Sequence, residues 1–204
     1  MRELPVIFST PMVRAILDGS KTMTRRVENL EIINIKPSHW SYPIMLDTTN
    51  GLFFKFLHIY DKYQAIKPRY QVGDHLWVRE TWAGNESNQY FKADGVMDYK
   101  PCDFTDGGYP VTCREQDCES CEAQPFKWKP SLFMPKKYAR LWLEVISVKC
   151  ERLQDISEEY ARKEGVKDRD SFIVLWQSLN GKKHPWEKNE WVFVYEFRRL
   201  EREK

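Results

Sequence analysis

The sequence predicts an α+β fold built around a small mixed β-sheet or barrel with short flanking helices. Segments rich in β-branched and aromatic residues are interspersed with short amphipathic segments, and the two kinds do not alternate as regular βαβ units do. With 204 residues, of which 42% are apolar and 30% charged, the chain can bury a full core. We therefore predict a single domain over residues 1–204, with insertions at about 31–70 and 84–126.

The first predicted elements lead to an unusually polar stretch. The apolar run at 6–8 predicts a strand, and residues 9–18 predict a helix that begins at a hydroxyl residue, has Pro11 in its first turn and ends at Gly19. Residues 19–26 then combine three cations with three hydroxyl groups. Residues just beyond a helix end often line a site, so this stretch is a candidate functional segment. The alternative, which its composition alone favours, is a solvated basic turn.

The first insertion contains signals for two strands. Three isoleucines between Ile32 and Ile35 predict one strand, and residues 52–57 predict another. The dipeptide Asn50-Gly51 is a strong turn signal directly before the second strand, so this region predicts a hairpin.

A further strand is predicted at residues 75–82, after the turn at Gly73-Asp74. Alternation places Glu80 on an otherwise apolar face of that strand. Because an unpaired buried carboxylate is costly, we expect Glu80 at the rim of the core or at the edge of a site rather than fully buried. The alternative to a site role is an ion pair with Arg79 at the strand rim.

The C-terminal part predicts two strands and two helices. Residues 141–148 and 191–197 predict strands, the second with one fully aromatic face. A short helix within 155–165 is capped by Ser157 and ended by Gly165. A second helix begins at Asp170 or Ser171. Its apolar stripe is expected to be core and consists of Phe172, Leu175, Trp176 and Leu179.

Basic and aromatic residues are interleaved between residues 125 and 140, without any acid. This pattern is typical of a groove for single-stranded nucleic acid, in which cations bind phosphates and rings stack on bases. The alternative is a loop whose aromatic side chains reach into the core. The candidate nucleic-acid-binding residues are Lys127, Trp128, Lys129, Lys136 and Lys137.

Four of the five cysteines lie close together in the second insertion, at Cys102, Cys113, Cys118 and Cys121. The two-residue spacing between the last two allows one turn to chelate a metal, and four thiolates favour a closed, structural zinc site. The alternative is a free or redox-labile set of thiols. The fifth, Cys150, is expected to be a small buried apolar residue.

Overall composition limits the partners of the chain. A formal charge of +2 does not by itself indicate nucleic-acid binding, and the 14% aromatic share fits either a β-rich body or exposed stacking rings. The N-terminal residues lack an apolar run of signal-peptide length, and no segment is long and apolar enough to span a bilayer. We expect a cytoplasmic protein without a membrane partner, and the odd number of cysteines argues against a disulfide framework.

The order of these landmarks resembles the ASCH family, and in particular ASCH proteins encoded by phages and prophages. The matching segments are residues 16–26 (ILDGSKTMTRR), 72–80 (VGDHLWVRE), 129–135 (KPSLFMP), 153–159 (LQDISEE) and 191–197 (WVFVYEF). The resemblance covers the chain apart from the two insertions. It implies a β-barrel like that of PUA RNA-binding domains, with a cleft beside it that takes a nucleobase or nucleotide.

The resemblance also implies candidate site residues. A small bacterial branch of the family hydrolyses the acetyl amide of 4-acetylcytidine with a Lys, a Thr and a Glu, which by position correspond to Lys21, Thr24 and Glu164. Another branch is associated with cleaving or binding single-stranded RNA. The candidate substrate-binding residues are Arg25, Arg26, Arg79 and Glu80. This chain is about twice as long as the small amidase, so its insertions are expected to cover or reshape the cleft.

Amide hydrolysis sets geometric conditions on the three candidate catalytic residues. Thr24 would attack directly or position water, and Lys21 would act as a base only if burial or neighbouring cations lowered its pKa. A regular strand would point Lys21 and Thr24 to opposite faces, so cooperation requires a turn or a helical step between them. The alternative for Glu164 is a solvated acid at a helix end.

Two functions therefore follow from the sequence. The first is a hydrolase acting on a modified nucleoside in one small pocket. The second is a single-stranded RNA-binding module or ribonuclease that uses the basic and aromatic surface. An enclosed pocket with a converging trio favours the first, and an open groove with an exposed Trp128 favours the second.

Overall fold

The computed structural model of the chain describes residues 1–84, 89–95 and 127–201. In this part of the chain it contains ten strands and four α-helices. The strands are β1 (Glu3–Ile7), β2 (Met23–Arg26), β3 (Ile44–Thr48), β4 (Gly51–Leu57), β5 (Tyr63–Ile66), β6 (His75–Arg79), β7 (Trp82–Gly84), β8 (Gln89–Phe91), β9 (Trp142–Arg152) and β10 (Trp191–Leu200). The α-helices are α1 (Thr10–Leu17), α2 (Glu31–Asn34), α3 (Glu158–Lys163) and α4 (Arg169–Asn180). Short 3-10 helices occupy Pro37–His39, Lys92–Asp94, Ser131–Phe133, Lys136–Tyr138, Leu153–Asp155 and Trp186–Lys188.

A five-stranded mixed sheet forms the centre of the fold, in the order β1-β6-β9-β10-β2. Only β1 and β6 are parallel; the other neighbours in this sheet are antiparallel. The predicted α+β class is therefore confirmed. Among the described strands β1 and β2 are the sheet edges and do not pair with each other, but Arg26 at the end of β2 donates a hydrogen bond to the carbonyl oxygen of Ile7 in β1 (2.8 Å).

Strand β10 separates two apolar layers. Its alternate residues Trp191, Phe193, Tyr195 and Phe197 are buried in the main core, which confirms the predicted aromatic face. Val192 and Val194 on its other face pack with Phe172 and Trp176 of α4. This alternation is the two-residue period of a strand buried on both faces. It places α3 and α4 against the outer face of the sheet.

The predicted turn before Gly51 and the predicted strand at 52–57 are confirmed, but the hairpin partner of β4 is β3 (Ile44–Thr48), which was not predicted, and not a strand around Ile32–Ile35. Gly51 has a φ of 104°, a conformation that favours glycine. Strand β5 completes a three-stranded antiparallel sheet, and this sheet packs on the main core. The ring of Phe56 lies 5.3 Å from that of Trp191, and Phe54 lies 5.4 Å from Phe193.

The strand predicted around Ile32–Ile35 is wrong, because this segment forms the short helix α2. Ile33 is fully buried, whereas Ile32 and Ile35 are exposed. Asn34 fixes the helix by exchanging two hydrogen bonds with the backbone of Trp191 (2.8 and 3.0 Å). A tertiary contact therefore overrides the β-propensity of the isoleucines.

Helices α1 and α3 both end at glycines with positive φ, as predicted. Gly19 has a φ of 82° and Gly165 a φ of 84°. Ser157 caps α3 by accepting a hydrogen bond from the Tyr160 backbone (3.2 Å). A Cβ atom on Gly165 would lie 2.8 Å from Cβ of Ala15, so glycine is what lets the end of α3 approach α1. No helix in the described ranges has both the length and the apolar character needed to cross a bilayer.

Candidate functional site

The segment after α1 lies against the end of α3 and brings Lys21 to Glu164. The two residues form an isolated antiparallel bridge, and Thr22 donates its backbone N–H to the carbonyl oxygen of Lys163 (2.8 Å). The Lys21 side chain is fully buried. Its Nζ donates to Oε2 of Glu164 (2.6 Å) and to the carbonyl oxygens of Met23 (2.7 Å) and Glu164 (2.9 Å). These three acceptors match the three protons of an ammonium group.

Arg25 holds the other oxygen of the same carboxylate. Its Nη1 donates to Oε1 of Glu164 (3.0 Å), while Nε and Nη2 donate to Oε1 of Glu151 (3.1 and 2.7 Å). The guanidinium also lies over the rings of Tyr160 (5.7 Å) and Phe172 (5.6 Å). Each oxygen of the buried Glu164 carboxylate thus has its own cation, which is the condition for a stable buried ion pair.

The environment shifts the titration of Lys21. Burial lowers the pKa of the Lys21 ammonium below its ordinary value, and Arg25 and Arg26 act in the same direction, whereas the Glu164 carboxylate opposes the shift. This direction is the one a general base requires. However, all three protons of the ammonium are donated to acceptors, so in this arrangement Lys21 orients Glu164 rather than facing a substrate.

A cleft of about 910 Å³ lies beside this cluster. The candidate residues Thr24, Arg25, Arg26 and Glu164 line it, and Lys21 lies behind Glu164 and does not. The remaining walls come from residues 7–12, which span the end of β1 and the start of α1, from residues 27–28 after β2, from α4, from the loop that follows α4, and from Thr81 and Ser131. Their lining side chains include Phe8, Phe172, Leu175, Trp176, Leu179, Lys182, Lys183 and His184. This volume is in the range of pockets that enclose a nucleoside-sized ligand.

The apolar stripe of α4 is only half core, in contrast to the prediction. Phe172 and Trp176 are buried, but Leu175 is half-buried and Leu179 is 50% exposed. Both leucines line the cleft. Because α4 packs on the sheet along one narrow side, the outer part of its apolar stripe forms a wall of the cleft.

Thr24 reaches the cleft from the edge strand β2. Strand alternation places Thr24 and Arg26 on one face of β2 and Met23 and Arg25 on the other. The Thr24 side chain is almost completely buried, and its hydroxyl group makes no hydrogen bond to any residue that the structure describes. The structure therefore joins Lys21 to Glu164 directly and brings Thr24 and Glu164 to the same cleft.

Arg79 and Glu80, predicted to bind substrate, do not line the cleft. The expectation that Glu80 lies at a rim is wrong: it is 1% exposed and accepts two hydrogen bonds from Arg140 (2.9 Å each). Arg140 also pairs with Asp94 (2.7 Å). The bidentate arginine supplies the partner that makes burial of Glu80 possible, and burial raises the pKa of its carboxyl group. Arg79 lies instead over the ring of Trp77 (4.7 Å).

The four lysines of the predicted nucleic-acid surface are exposed, and Trp128 is half-buried. Lys129, Lys136 and Lys137 are engaged within the chain. Lys129 donates to the carbonyl oxygen of Gly84 (3.0 Å), and Lys136 pairs with Glu3. Lys127 and Lys137 complete the set, and Lys137 lies over the ring of Tyr138 (5.1 Å). Ser131, within the same stretch, lines the cleft.

The cysteines predicted to bind zinc, Cys102, Cys113, Cys118 and Cys121, lie outside the described residues. Within the described ranges no three His, Cys, Asp or Glu side chains are grouped in a way that could hold a metal ion. Cys150 packs against the main core but is only half-buried, whereas a buried residue was predicted; burial raises the pKa of its thiol.

No known family model, no functionally described protein and no solved structure matches this chain. The geometry of the cleft and of the buried ion pairs is therefore the basis for its functional interpretation.

Several residues of the cleft and of the ion-pair cluster beside it were not predicted. Glu151, the second partner of Arg25, lies on β9, two strands away across β10. Its position follows only from the strand order. Lys182 and Lys183 follow Gly181 at the end of α4. The sequence signal for them was a pair of cations directly after a helix end, which resembles the pattern at Gly19–Arg26.

Proposed function

We propose that the cleft binds a nucleobase or nucleoside and that the protein hydrolyses the acyl amide of a modified cytidine such as 4-acetylcytidine. The observation that supports this most is the Glu164 carboxylate, which lines the cleft together with Thr24 and is held in place by Lys21 and Arg25. A buried charged group with fixed partners at the edge of a cleft is a typical functional site.

The proposed fold family is that of PUA-like ASCH proteins. The edge strands β1 and β2 of the five-stranded sheet are linked by the hydrogen bond from Arg26 to Ile7. This arrangement is compatible with a small barrel in which a side-chain contact replaces strand pairing between β1 and β2, the seam of the barrel. The cleft lies at this seam, since Ile7 and Arg26 both line it.

The chemistry of the lining suits a cytosine ring. Phe172, Leu175 and Trp176 provide an apolar wall for a flat base. A carboxylate accepts a hydrogen bond from the exocyclic N4–H of cytosine, a group that 4-acetylcytidine retains as its amide N–H. Glu164 is therefore suited to orient the base by its reacting nitrogen.

In the proposed reaction, water adds to the acetyl carbonyl carbon and the C–N4 bond breaks, which gives acetate and cytidine. The Thr24 hydroxyl group orients the attacking water, and Glu164 accepts its proton and passes it to the leaving N4. The guanidinium group of Arg25, which lines the cleft beside Glu164, stabilises the developing oxyanion. Lys21 is a positioning residue, because it contacts Glu164 and not the cleft.

Acetate release from 4-acetylcytidine tests the proposal. We expect turnover by the unmodified protein and a decrease of about 10²–10⁴-fold in Glu164→Gln, the range for loss of a general acid–base group. Thr24→Val, which keeps the side-chain shape, should also lower the rate. Glu80→Gln is the matched control, because Glu80 is an equally buried carboxylate paired with an arginine but does not line the cleft. Absence of acetate release by the unmodified protein, or an equal loss in Glu80→Gln, contradicts the proposal.

A second candidate function is binding or cleavage of single-stranded RNA along residues 127–137. It is favoured by the exposed side chains of Leu132 (55%) and Phe133 (69%) beside the basic residues, and by Ser131, which connects this surface to the cleft. Salt-sensitive binding of an RNA oligonucleotide that weakens in Lys127→Gln/Lys137→Gln, without acetate release, would favour this function.

We also propose that Cys102, Cys113, Cys118 and Cys121 bind one structural zinc ion. The support is their spacing alone, with two thiols in one Cys-x-x-Cys turn and two more within about 20 residues. The ion would stabilise the polar insertion and take no part in the proposed reaction.

A further inference from the structure

Three cations that line the cleft are not neutralised within the described chain. Arg26, Lys182 and Lys183 form no ion pair with any residue that the structure describes. By contrast, Lys21 and Arg25 at the same site are paired with Glu164, and Arg25 also with Glu151. The cleft thus has one neutralised end and an excess of positive charge elsewhere.

The loop that carries the two lysines is held in a defined conformation. The backbone N–H groups of Lys183 and His184 both donate to the carbonyl oxygen of Asn180 (2.9 Å each). Trp176, itself a wall of the cleft, donates its indole N–H to the carbonyl oxygen of His184 (2.8 Å). The His184 ring is fixed by Glu190 at 2.6 Å. The lysines therefore extend from a pre-formed loop at the margin of the cleft.

Arg26 is held by the segment at the end of β1. Its Nη2 donates to the carbonyl oxygen of Ile7 (2.8 Å), and its guanidinium lies over the ring of Phe8 (5.4 Å). Its Nε is buried and has no hydrogen-bond partner among the described residues. Among the described residues, the carboxylates that line the cleft are those of Glu164 and Glu28. One oxygen of Glu28 lies 3.5 Å from Arg69, and the other is buried without a hydrogen-bond partner among the described residues.

We propose that the ligand of the cleft carries a phosphoryl group, bound by Arg26, Lys182 and Lys183. This inference rests on the proposed nucleoside-binding function and extends it from a neutral nucleoside to a nucleoside phosphate. A neutral ligand would cover these cations without replacing their hydration, whereas a phosphoryl group offers each of them an anionic acceptor. The same chemistry is present in a free nucleoside 5′-phosphate and in the backbone of RNA.

Calorimetric titrations with cytidine, cytidine 5′-monophosphate and a hexacytidylate without terminal phosphates test this proposal. We expect the monophosphate to bind at least about tenfold more tightly than cytidine, because charge-assisted hydrogen bonds to phosphate exceed the 1.4 kcal/mol that corresponds to tenfold in Kd. In Lys182→Gln/Lys183→Gln this preference should disappear while cytidine affinity is retained. The control is Lys36→Gln/Lys62→Gln, which removes the same charge from two exposed lysines that do not line the cleft.

The outcomes separate the inference from the proposed function. If cytidine binds and the monophosphate binds no more tightly, the phosphoryl site is refuted and nucleoside binding stands. The same conclusion follows if the tighter binding of the monophosphate survives in Lys182→Gln/Lys183→Gln, or if it is lost equally in the control variant. If neither cytidine nor the monophosphate binds, the proposed function fails as well. A lysine-dependent advantage shared by the hexacytidylate assigns the phosphoryl group to RNA, and one confined to the monophosphate assigns it to a free nucleotide.

Discussion

Replacing Glu164 by glutamine tests the buried charge cluster most sharply. The substitution preserves the shape of the side chain but leaves the Lys21 ammonium, which is fully buried, without its carboxylate. Breaking a buried ion pair from one side costs about 3–5 kcal/mol. In Glu164→Gln, Lys21 keeps two carbonyl acceptors and Arg25 keeps Glu151 as a partner. We therefore expect a loss of stability at the lower end of this range, about 3 kcal/mol. For a chain of this size that corresponds to a decrease of about 6–12 °C in Tm.

The pH dependence of this loss identifies Lys21 as its cause. The pKa of Lys21 in the folded chain is below its ordinary value of 10.5, so between these two values the unfolded chain binds more protons and the free energy of unfolding rises with pH. Without Glu164, which opposes the shift, the pKa of Lys21 falls further and its ammonium can lose its proton at lower pH. The stability deficit of Glu164→Gln should therefore shrink as pH rises from 7 towards 10.

Urea unfolding followed by tryptophan fluorescence measures these differences. Lys21→Met/Glu164→Gln should be more stable than the sum of the single substitutions predicts, by about 0.5–3 kcal/mol. Glu80→Gln should lower the free energy of unfolding less than Glu164→Gln does, because Arg140 keeps Asp94 as a partner and is 25% exposed. The loss in Glu80→Gln should be the same at pH 7 and pH 10, because arginine does not titrate in this range. A Glu164→Gln protein as stable as the unmodified one at pH 7, or a deficit that does not vary with pH, would refute this account of the cluster.

Further predictions concern the helix ends and the cysteines. Gly165→Ala should destabilise the protein by about 2–4 kcal/mol, since an alanine at positive φ costs about 1–2 kcal/mol and its Cβ would overlap Ala15 at 2.8 Å. The control is Gly19→Ala, because Gly19 has almost the same φ but no atom within 4 Å of the new Cβ. It should lose only the free energy that positive φ costs an alanine. Equal losses of stability for the two variants in thermal unfolding would argue against the contact between Gly165 and Ala15. Elemental analysis should find one equivalent of zinc per chain that is lost in Cys118→Ser, and zinc-free protein purified without chelators would exclude the metal.

Local sequence signals predicted the elements whose structure depends on local physics. The helix ended by Gly19, the turn before Gly51 and the aromatic face of β10 all follow from glycine conformation or strand period. The segment around Ile33 was assigned wrongly because its conformation is fixed by Asn34, which binds a strand more than 150 residues away. No local pattern carries that information.

The site was predictable only in part, for the same reason. Lys21, Thr24 and Glu164 came from the family resemblance, and the contact between Lys21 and Glu164 depends on two helices meeting at Gly165. Glu80 was expected near the surface because its partner, Arg140, lies 60 residues later in the chain. Burial of a charged group depends on such distant partners, and a single sequence does not show them.

The most direct test of nucleoside binding in the cleft is an NMR titration that follows the tryptophan indole N–H signals as cytidine is added. The indole N–H of Trp176 lies beside the cleft and bonds to His184, whereas that of Trp191 lies in the main core and bonds to Pro37 (3.0 Å). Substitution of each by phenylalanine assigns the two signals. Binding in the cleft predicts a saturable shift of the Trp176 signal with the Trp191 signal unchanged. No shift of the Trp176 signal at millimolar cytidine, or a shift of the Trp191 signal alone, would contradict it.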